Sequence, residues 1–328
     1  MRKSVTKYVS SKLTEFRNFF RVRKATSRGD FSNVIWLIGD GRSGTTWIAS
    51  LLNADKSYRE MFEPFHPKKV NGAKEFRENM FVDADSKNPA LKRYMASVFN
   101  GSLTNSWIDK ELLSDSYEGL LVKDVFANLH AKWSVLQFPF VKPILLVRNP
   151  LSVAASKYVT KRWHWPSSPE IFLNDKALMA THLKGLDEVI LKVAQRNDYI
   201  EKQILNWCVI HKVISKQFTL DEIHIICYEQ VLEDPQREIS EALAFSGKKQ
   251  NAELTPKKLR ESSIVSFKGS SVIENKDPLT IWKENITQEQ VELASNLLKA
   301  FELDGWYEDF HSPCMENILL SFAKSTIN

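Results

Sequence analysis

Residues 34–53, VIWLIGDGRSGTTWIASLLN, contain the segment that determines the fold. They begin with an apolar, β-branched run bounded by glycine, which is typical of a buried parallel strand. A turn of sequence GDGRSG follows, and Thr45 and Thr46 then begin a predicted amphipathic helix. Backbone N–H groups at such a helix N-terminus point towards a bound anion, and the helix dipole adds to the attraction. The segment therefore predicts a strand, a turn and a helix that together bind phosphate.

The glycine spacing is close to that of the Walker A motif, but one position differs. Gly39 and Gly44 are separated by four residues, and Thr45 stands where nucleoside triphosphatases carry a lysine on the β- and γ-phosphates. The basic residue within the turn is Arg42 instead. The loop therefore favours a phosphate ligand that lacks a γ-phosphate. An ordinary strand, turn and helix without a ligand stays open as the alternative.

The run GRSGTTW at residues 41–47 resembles the 5′-phosphosulfate loop of sulfotransferases that use PAPS, 3′-phosphoadenylyl sulfate. The resemblance implies that Arg42 contacts the bridging and sulfuryl oxygens of this donor. It also implies that Trp47 packs near the adenine. The 5′-phosphate would be bound by Ser43, Gly44, Thr45 and Thr46.

Composition is that of an ordinary globular protein. The chain has 328 residues, of which 43% are hydrophobic and 26% charged, so it can form one large α/β domain. The net charge of +5 suits anionic ligands but does not indicate nucleic acid. The three cysteines form neither a disulfide framework nor a zinc pattern, which favours a reducing, cytoplasmic location. No apolar run reaches the roughly 18 residues of a membrane span.

The chain divides into three predicted parts. Residues 1–30 are basic and amphipathic, residues 31–310 form the sulfotransferase-like domain, and residues 311–328 form a C-terminal tail. A basic amphipathic helix can lie on an anionic membrane surface, here through residues 1–25, or pack on its own domain. Packing is favoured, because most amphipathic helices face a core. Peripheral membrane contact stays open.

Apolar strand-like segments alternate with helical ones after the first strand. Such alternation without internal repeats predicts a three-layer α/β fold, with a parallel sheet flanked by helices. Ligands of these sheets bind beyond the carboxyl ends of the strands. The further predicted strands begin at residue 58 and cover residues 119–124, 141–147 and 222–228; the predicted helices include residues 199–216 and 287–301.

A second phosphate-binding pattern follows the strand at residues 141–147. Arg148 ends this strand, and Ser156 lies eight residues further on in the next predicted helix. The pair resembles the 3′-phosphate motif of the same family. A guanidinium group is a planar, permanently charged fork that suits phosphate. A strand-end arginine paired with a carboxylate is the alternative.

Two C-terminal segments extend the resemblance. Tyr228-Glu229 resembles a Tyr-Glu segment of the family whose tyrosine approaches the adenine. The tripeptide Phe267-Lys268-Gly269 resembles a shortened form of the loop that closes on the 3′-phosphate, which implies this role for Lys268 and Gly269.

Sulfuryl transfer is an in-line displacement at sulfur, and it needs a base and a cation. The cation would be Arg42, helped by Lys123; the scheme requires no metal, and the sequence shows no metal-ligand cluster. Small-molecule members of the family use a histidine two residues after a lysine, but residues 122–125 read VKDV. Carbohydrate-acting members place a Glu before a Pro, as in Phe62-Glu63-Pro64, so Glu63 is the predicted base. His66, Asp124 and His130 are the reserve candidates.

The resemblance implies a PAPS-dependent sulfotransferase whose acceptor is a hydroxyl of a carbohydrate or glycoconjugate. The first alternative is sulfation of a lipid or another small hydroxylated metabolite. A kinase that uses the loop for ATP is a second alternative, and the missing Walker lysine counts against it. A non-catalytic nucleotide-binding or membrane-surface adaptor is the third.

Overall fold

The computed structural model describes most of the chain. The described residues are 31–112, 116–160, 168–196, 198–249 and 276–323, with residues 16, 20, 22, 114, 254, 255, 258 and 259. Lys268 and Gly269 lie outside them, as does most of the predicted N-terminal amphipathic segment. The described part therefore covers the predicted nucleotide loops except the C-terminal one.

Five strands form one parallel sheet, which confirms the predicted fold class. The order across the sheet is β2-β3-β1-β4-β5, so β1 lies at its centre. The last strand is shorter than predicted, because Tyr228 already begins a helix. The strands are β1 Val34–Gly39, β2 Tyr58–Phe62, β3 Gly119–Lys123, β4 Val141–Val147 and β5 His224–Cys227.

Helices cover both faces of the sheet. Single 3-10 turns occur at Asn71–Glu75, Asn128–His130, Ile281–Glu284 and Asp304–Trp306. The α-helices of the described residues are α1 Thr45–Leu52, α2 Pro89–Phe99, α3 Ala131–Gln137, α4 Pro150–Thr160, α5 Glu170–Leu173, α6 Lys176–Thr181, α7 Asp187–Gln195, α8 Tyr199–Gln217, α9 Tyr228–Glu233, α10 Pro235–Ser246, α11 Gln288–Ala300 and α12 Met315–Ala323.

Side chains of β1 alternate between two apolar layers, as the period of a strand requires. Trp36 and Ile38 pack in the larger layer, which includes α4 and α8. Ile35 and Leu37 pack in the smaller layer against α1 and α10. All four are at most 1% exposed, and burying one such side chain contributes about 1.5–3 kcal/mol. Burial on both faces is what the continuous apolar run encodes.

The order in which strands are added to the sheet changes side at β1, although all five strands are parallel. The path leaves β1 for β2 and β3 on one side, and then continues to β4 and β5 on the other. The carboxyl ends of β1, β3 and β4 therefore open at the same edge, where doubly wound sheets bind ligands. Arg42, Lys123 and Arg148 all lie at or just beyond these three strand ends.

Described residues near the two ends of the chain differ in burial. Val22 is 3% exposed, whereas Phe16 and Phe20 are exposed and place their ring centroids 4.8 Å apart. At the other end, Ile318 and Phe322 of α12 are fully buried in the larger layer. Part of the segment predicted as a tail therefore belongs to the core.

Candidate active site

The turn after β1 has a backbone that requires glycine at its last position. Gly44 has a φ of 102°, which L side chains rarely adopt. A Cβ atom here would lie 2.8 Å from two ring carbons of Tyr228. Gly44 therefore allows α9 to approach the loop closely, and it places the tyrosine ring directly against the turn.

The start of α1 presents backbone donors. Ser43 N and Ser43 Oγ both donate to the Asp40 carbonyl, at 3.2 and 2.7 Å, which closes the turn. Among the described residues, no acceptor is bound by the backbone N–H groups of Gly44, Thr45 and Thr46. Unsatisfied N–H groups at a helix N-terminus form an anion site.

Arg42 extends from the same turn with a left-handed backbone, at a φ of 71°. Its Nε donates to Ser156 Oγ at 3.1 Å, so the structure brings together two residues predicted from separate motifs. The pKa of Arg42 is lowered to about 10, chiefly by burial and also by the nearby charge of Arg148, while Tyr228 and Glu63 oppose the shift. The side chain is still a cation at neutral pH.

Arg148 lies beside Arg42, and among the described residues it forms no salt bridge, although the charge of Glu229 is near enough to interact with it. Its Nη1 donates to the Arg42 carbonyl at 3.3 Å, and Nη2 donates to the Pro278 carbonyl at 3.2 Å. The guanidinium carbon lies 4.1 Å from the centroid of the Tyr228 ring. Arg148 Nε is buried without a partner among the described residues. A buried, unsatisfied donor beside a second guanidinium fits an anionic ligand such as phosphate.

Two aromatic rings flank this anion site. The centroids of Trp47 and Tyr228 are 5.4 Å apart, with the rings edge to face. Trp47 is half-buried, and Tyr228 is buried. The two residues that the sequence predicts near the adenine therefore lie together, with Tyr228 against Gly44 and Trp47 in the first turn of α1.

The predicted base forms an ion pair with the predicted second cation. Lys123 Nζ lies 2.5 Å from Glu63 Oε1, and both side chains are nearly buried. Glu63 N donates to the Lys123 carbonyl at 2.7 Å, so the backbone also fixes this pair. Glu63 has a left-handed φ of 46°, a conformation that costs about 1–3 kcal/mol and concentrates at functional sites. Glu63 Oε2 has no hydrogen bond within the described part of the chain.

The reserve candidates have other environments. Asp124 is fully buried, and its two oxygens accept from Phe65 N and Phe126 N at 2.7 Å each; burial raises its pKa to about 7. His130 is 1% exposed, contacts Ser134 Oγ at 3.1 Å, and has a pKa lowered to about 4 by burial. Both side chains are therefore buried and already contact other groups of the protein.

His66 lies nearer the predicted base. It is buried between the rings of Trp107 and Phe126, with centroids at 4.7 and 5.1 Å. Burial lowers its pKa to about 4, and the charge of Glu63 opposes the shift. His66 is therefore neutral at pH 7. Its Nδ1 accepts a weak hydrogen bond from Lys68 N at 3.3 Å.

Two supporting contacts were not predicted. Asn128 Oδ1 accepts from Gly39 N at 3.0 Å, and its amide donates to the Gly39 carbonyl at 3.2 Å, which holds the start of the turn. Lys157 Nζ lies 2.7 Å from both oxygens of Asp40, and the pair is buried. Lys157 follows Ser156 on α4, so this ion pair fixes the distance between the turn and the helix that carries Ser156.

Replacing Lys157 with Met should lower the free energy of unfolding by about 3–5 kcal/mol, because Asp40 would stay buried without its partner. Urea denaturation of the purified protein measures this change. The double variant Asp40→Leu/Lys157→Met removes both charges and should recover part of the loss. Equal destabilisation in the single and double variants would contradict this account of the pair.

Comparison with known proteins identifies the class. The sulfotransferase domain family matches residues 32–297, which include the turn, both arginines and Glu63. The chain therefore belongs to the sulfotransferase family, and we identify it as a PAPS-dependent sulfotransferase. Among curated proteins, no match to the chain is found.

Solved structures with similar folds are distant in sequence. A sulfotransferase from Alicyclobacillus acidocaldarius is 13% identical, with 86% of this chain and 97% of that chain covered and a TM-score of 0.42. Mouse sulfotransferase SULT7A1, complexed with PAP, is 15% identical, with 82% and 85% covered and a TM-score of 0.37. A retinol dehydratase in complex with androsterone and PAP is 15% identical, with 84% and 82% covered and a TM-score of 0.39. The family assignment depends on the domain match alone.

The described residues contain neither a candidate metal site nor a candidate membrane-spanning helix. No group of three or more His, Cys, Asp or Glu side chains there could hold a metal ion. No described helix is both long and apolar enough to cross a bilayer.

Proposed function

We propose that this chain transfers the sulfuryl group of PAPS to a hydroxyl of a carbohydrate or glycoconjugate, with Glu63 as the base. The observation that carries the proposal is the meeting of Arg42, Arg148 and Ser156 at the N-terminus of α1. Two guanidinium groups lie side by side there, and Arg148 Nε lacks a partner among the described residues. Such a group of donors suits a ligand with more than one phosphate-type charge.

The donor would be held by three sets of groups. The amides and side chains of residues 43–46 would bind the 5′-phosphate, and Arg42 would contact the bridging and sulfuryl oxygens. Arg148 and Ser156 would bind the 3′-phosphate. Trp47 and Tyr228 would pack against the adenine. Lys268 and Gly269 would complete the site, and they are proposed from the resemblance alone.

Bound PAPS supplies a sulfuryl group that is displaced in line, so an O–S bond forms to the acceptor oxygen while the bond to the bridging oxygen breaks. Glu63 would take the proton of the acceptor hydroxyl through Oε2, since Oε1 contacts Lys123. Arg42 would stabilise the negative charge that collects on the bridging oxygen. The charge of Glu63 acts on Arg42, so the proposed base lies within electrostatic range of the proposed cation.

The saccharide acceptor is proposed from the Glu63-Pro64 variant and the absent histidine at residue 125. The surroundings of Glu63 support an acceptor with flat apolar faces, because Phe62 and Trp107 lie beside it with ring centroids 5.4 Å apart. A lipid or small hydroxylated metabolite would also fit aromatic walls. Acceptors of each kind therefore belong in the test.

Labelled sulfuryl transfer from PAPS, in the presence of EDTA, tests this proposal with a panel of saccharides, phenols and lipids. Binding of PAP, the 3′,5′-bisphosphate product, is measured in parallel by calorimetry. Transfer to a saccharide would support the full proposal. Transfer to a phenol or lipid instead would show that the acceptor belongs to that class and not to the carbohydrates. Binding without any transfer would favour the adaptor, and failure to bind PAP would overturn the nucleotide assignment.

A further inference from the structure

The loop at residues 101–112 is hydrogen-bonded to the residue that precedes the proposed base. Phe62 N donates to the Ile108 carbonyl at 2.9 Å, and Phe62 immediately precedes Glu63. Ile108 is fully buried, while its neighbours Trp107 and Lys110 have partly or largely exposed side chains. The loop therefore forms a wall beside Glu63 and presents these two side chains there.

A buried ion pair holds this wall in place. Arg59 Nη2 lies 2.7 Å from Asp109 Oδ1, and neither side chain is exposed to solvent. Arg59 also donates to the Leu103 carbonyl at 2.8 Å and to the Gly101 carbonyl. Asp109 accepts from Asn105 N at 3.0 Å. Arg59 lies on β2 and Glu63 directly follows this strand, so the position of the wall relative to the proposed base is fixed.

Two lysines on this side of Glu63 lack a carboxylate partner. Lys110 Nζ lies 3.3 Å from the centroid of the Trp107 ring and 4.0 Å from that of Phe62. Lys69 Nζ lies 5.7 Å from the Trp107 centroid. Within the described residues, no carboxylate forms a salt bridge with either ammonium. By contrast, Lys123 is neutralised by Glu63.

Burial and the neighbouring charges shift the pKa of Lys110. The pKa of Lys110 is lowered to about 8, chiefly by burial and also by the charges of Lys123 and Lys69. The carboxylates of Glu63 and Glu111 raise it. Asp109 is paired with Arg59 and Glu111 with Lys56, so the ammonium groups of Lys110 and Lys69 leave uncompensated positive charge near Glu63.

We propose that Lys69 and Lys110 bind an anionic group of the acceptor, such as a carboxylate, sulfate or phosphate near the hydroxyl that is sulfated. This inference rests on the proposed function, because it assigns the acceptor side of the same site. Without the lysines, the Glu63 carboxylate would repel an anionic acceptor. With the lysines present, the anionic group of the acceptor forms ion pairs with Lys69 and Lys110, and the Trp107 ring supplies an apolar face.

Matched acceptors that differ by one charge test the inference. The pairs are methyl β-glucoside and methyl β-glucuronide, phenol and 4-hydroxybenzoate, and glycerol and glycerol 3-phosphate. For at least one pair, the kcat/KM of the wild-type protein should be about tenfold higher with the anionic member. In the double variant Lys69→Gln/Lys110→Gln, this ratio should fall to about one, while PAP affinity measured by calorimetry stays unchanged.

A charge-matched control separates local from general effects. Lys192 and Lys299 are exposed on α7 and α11, and the variant Lys192→Gln/Lys299→Gln has the same net charge as the test variant. Its anionic-to-neutral ratio should equal that of wild type. Since Lys110 loses its proton as the pH rises through about 8, the ratio should also fall between about pH 7 and about pH 9. The variant Lys110→Arg should retain the ratio at the higher pH, because guanidinium stays protonated.

Four results would decide against the inference. These are no anionic preference in any pair, a ratio unchanged in the double variant, an equal loss in the control variant, and no transfer to any of the six compounds although PAP binds. The last result would leave nucleotide binding intact. Failure to bind PAP at all would instead overturn the proposed function.

Discussion

Replacing Glu63 with Gln should lower kcat for sulfuryl transfer by about 10²–10⁴-fold and leave the affinity for PAP nearly unchanged. Gln has the size of Glu and can still contact Lys123, but it cannot accept the proton of the acceptor hydroxyl. Among the described residues, the Glu63 carboxylate contacts Lys123 and makes no hydrogen bond to the groups at the N-terminus of α1 that are proposed to bind the nucleotide. The loss should therefore appear in the chemical step.

Single-turnover transfer from labelled PAPS, together with calorimetric PAP binding, measures both quantities. Glu60→Gln is a matched control, because Glu60 is a buried carboxylate on β2, three residues before Glu63. Burial raises the pKa of Glu60 to about 7, so a neutral side chain is tolerated there. This control should change kcat far less than Glu63→Gln does.

Transfer that survives in Glu63→Gln would assign the base elsewhere. His66 is then the first candidate, because it is neutral at pH 7 and lies within reach of the Glu63 charge. Asp124 is a weaker candidate, since backbone N–H groups occupy both of its oxygens. The fully buried His130 is weaker still. A His66→Gln variant that lost activity in the Glu63→Gln background would identify the histidine.

Local sequence patterns were sufficient for the parallel sheet and for the positions of Arg42, Arg148 and Ser156 relative to its strands. The strand–turn–helix of residues 34–53 depends on apolar periodicity and on Gly44, which are properties of adjacent residues. Arg148 could be located because it directly follows β4, and Ser156 because it lies eight residues further on, within the next helix. The structure adds that Ser156 contacts Arg42, a pairing across 114 residues of chain.

Such local patterns could not predict contacts between residues that are far apart in the chain. Asp40 lies inside the turn and Lys157 follows Ser156, yet neither position signals a buried ion pair, because the pairing depends on how α4 packs against β1. The same holds for Arg59 and Asp109, which together fix the wall that carries Lys110. Periodicity identifies which residues are buried, whereas the partner of a buried charge depends on tertiary packing.

Replacing Arg42 with Ala should lower kcat by about 10²–10³-fold, the effect of removing one preorganised donor at the position where charge develops. Arg42 is suited to this role because Ser156 Oγ holds its Nε, and because Arg148 and burial lower its pKa only to about 10. It therefore meets the leaving oxygen as a cation. Arg42→Lys keeps the charge but loses the planar fork, so its kcat should lie between those of wild type and Arg42→Ala.

The backbone at Arg42 separates a catalytic loss from a folding defect. At a φ of 71°, glycine is less strained than arginine, so Arg42→Gly should fold at least as well as Arg42→Ala. Both variants should lose transfer equally if the guanidinium stabilises the leaving oxygen. Arg93→Ala is the control, because Arg93 is an exposed arginine on α2 and should not alter kcat. A kcat within about threefold of wild type in both Arg42 variants would exclude the guanidinium as the stabilising cation, and Lys123 would then be its replacement.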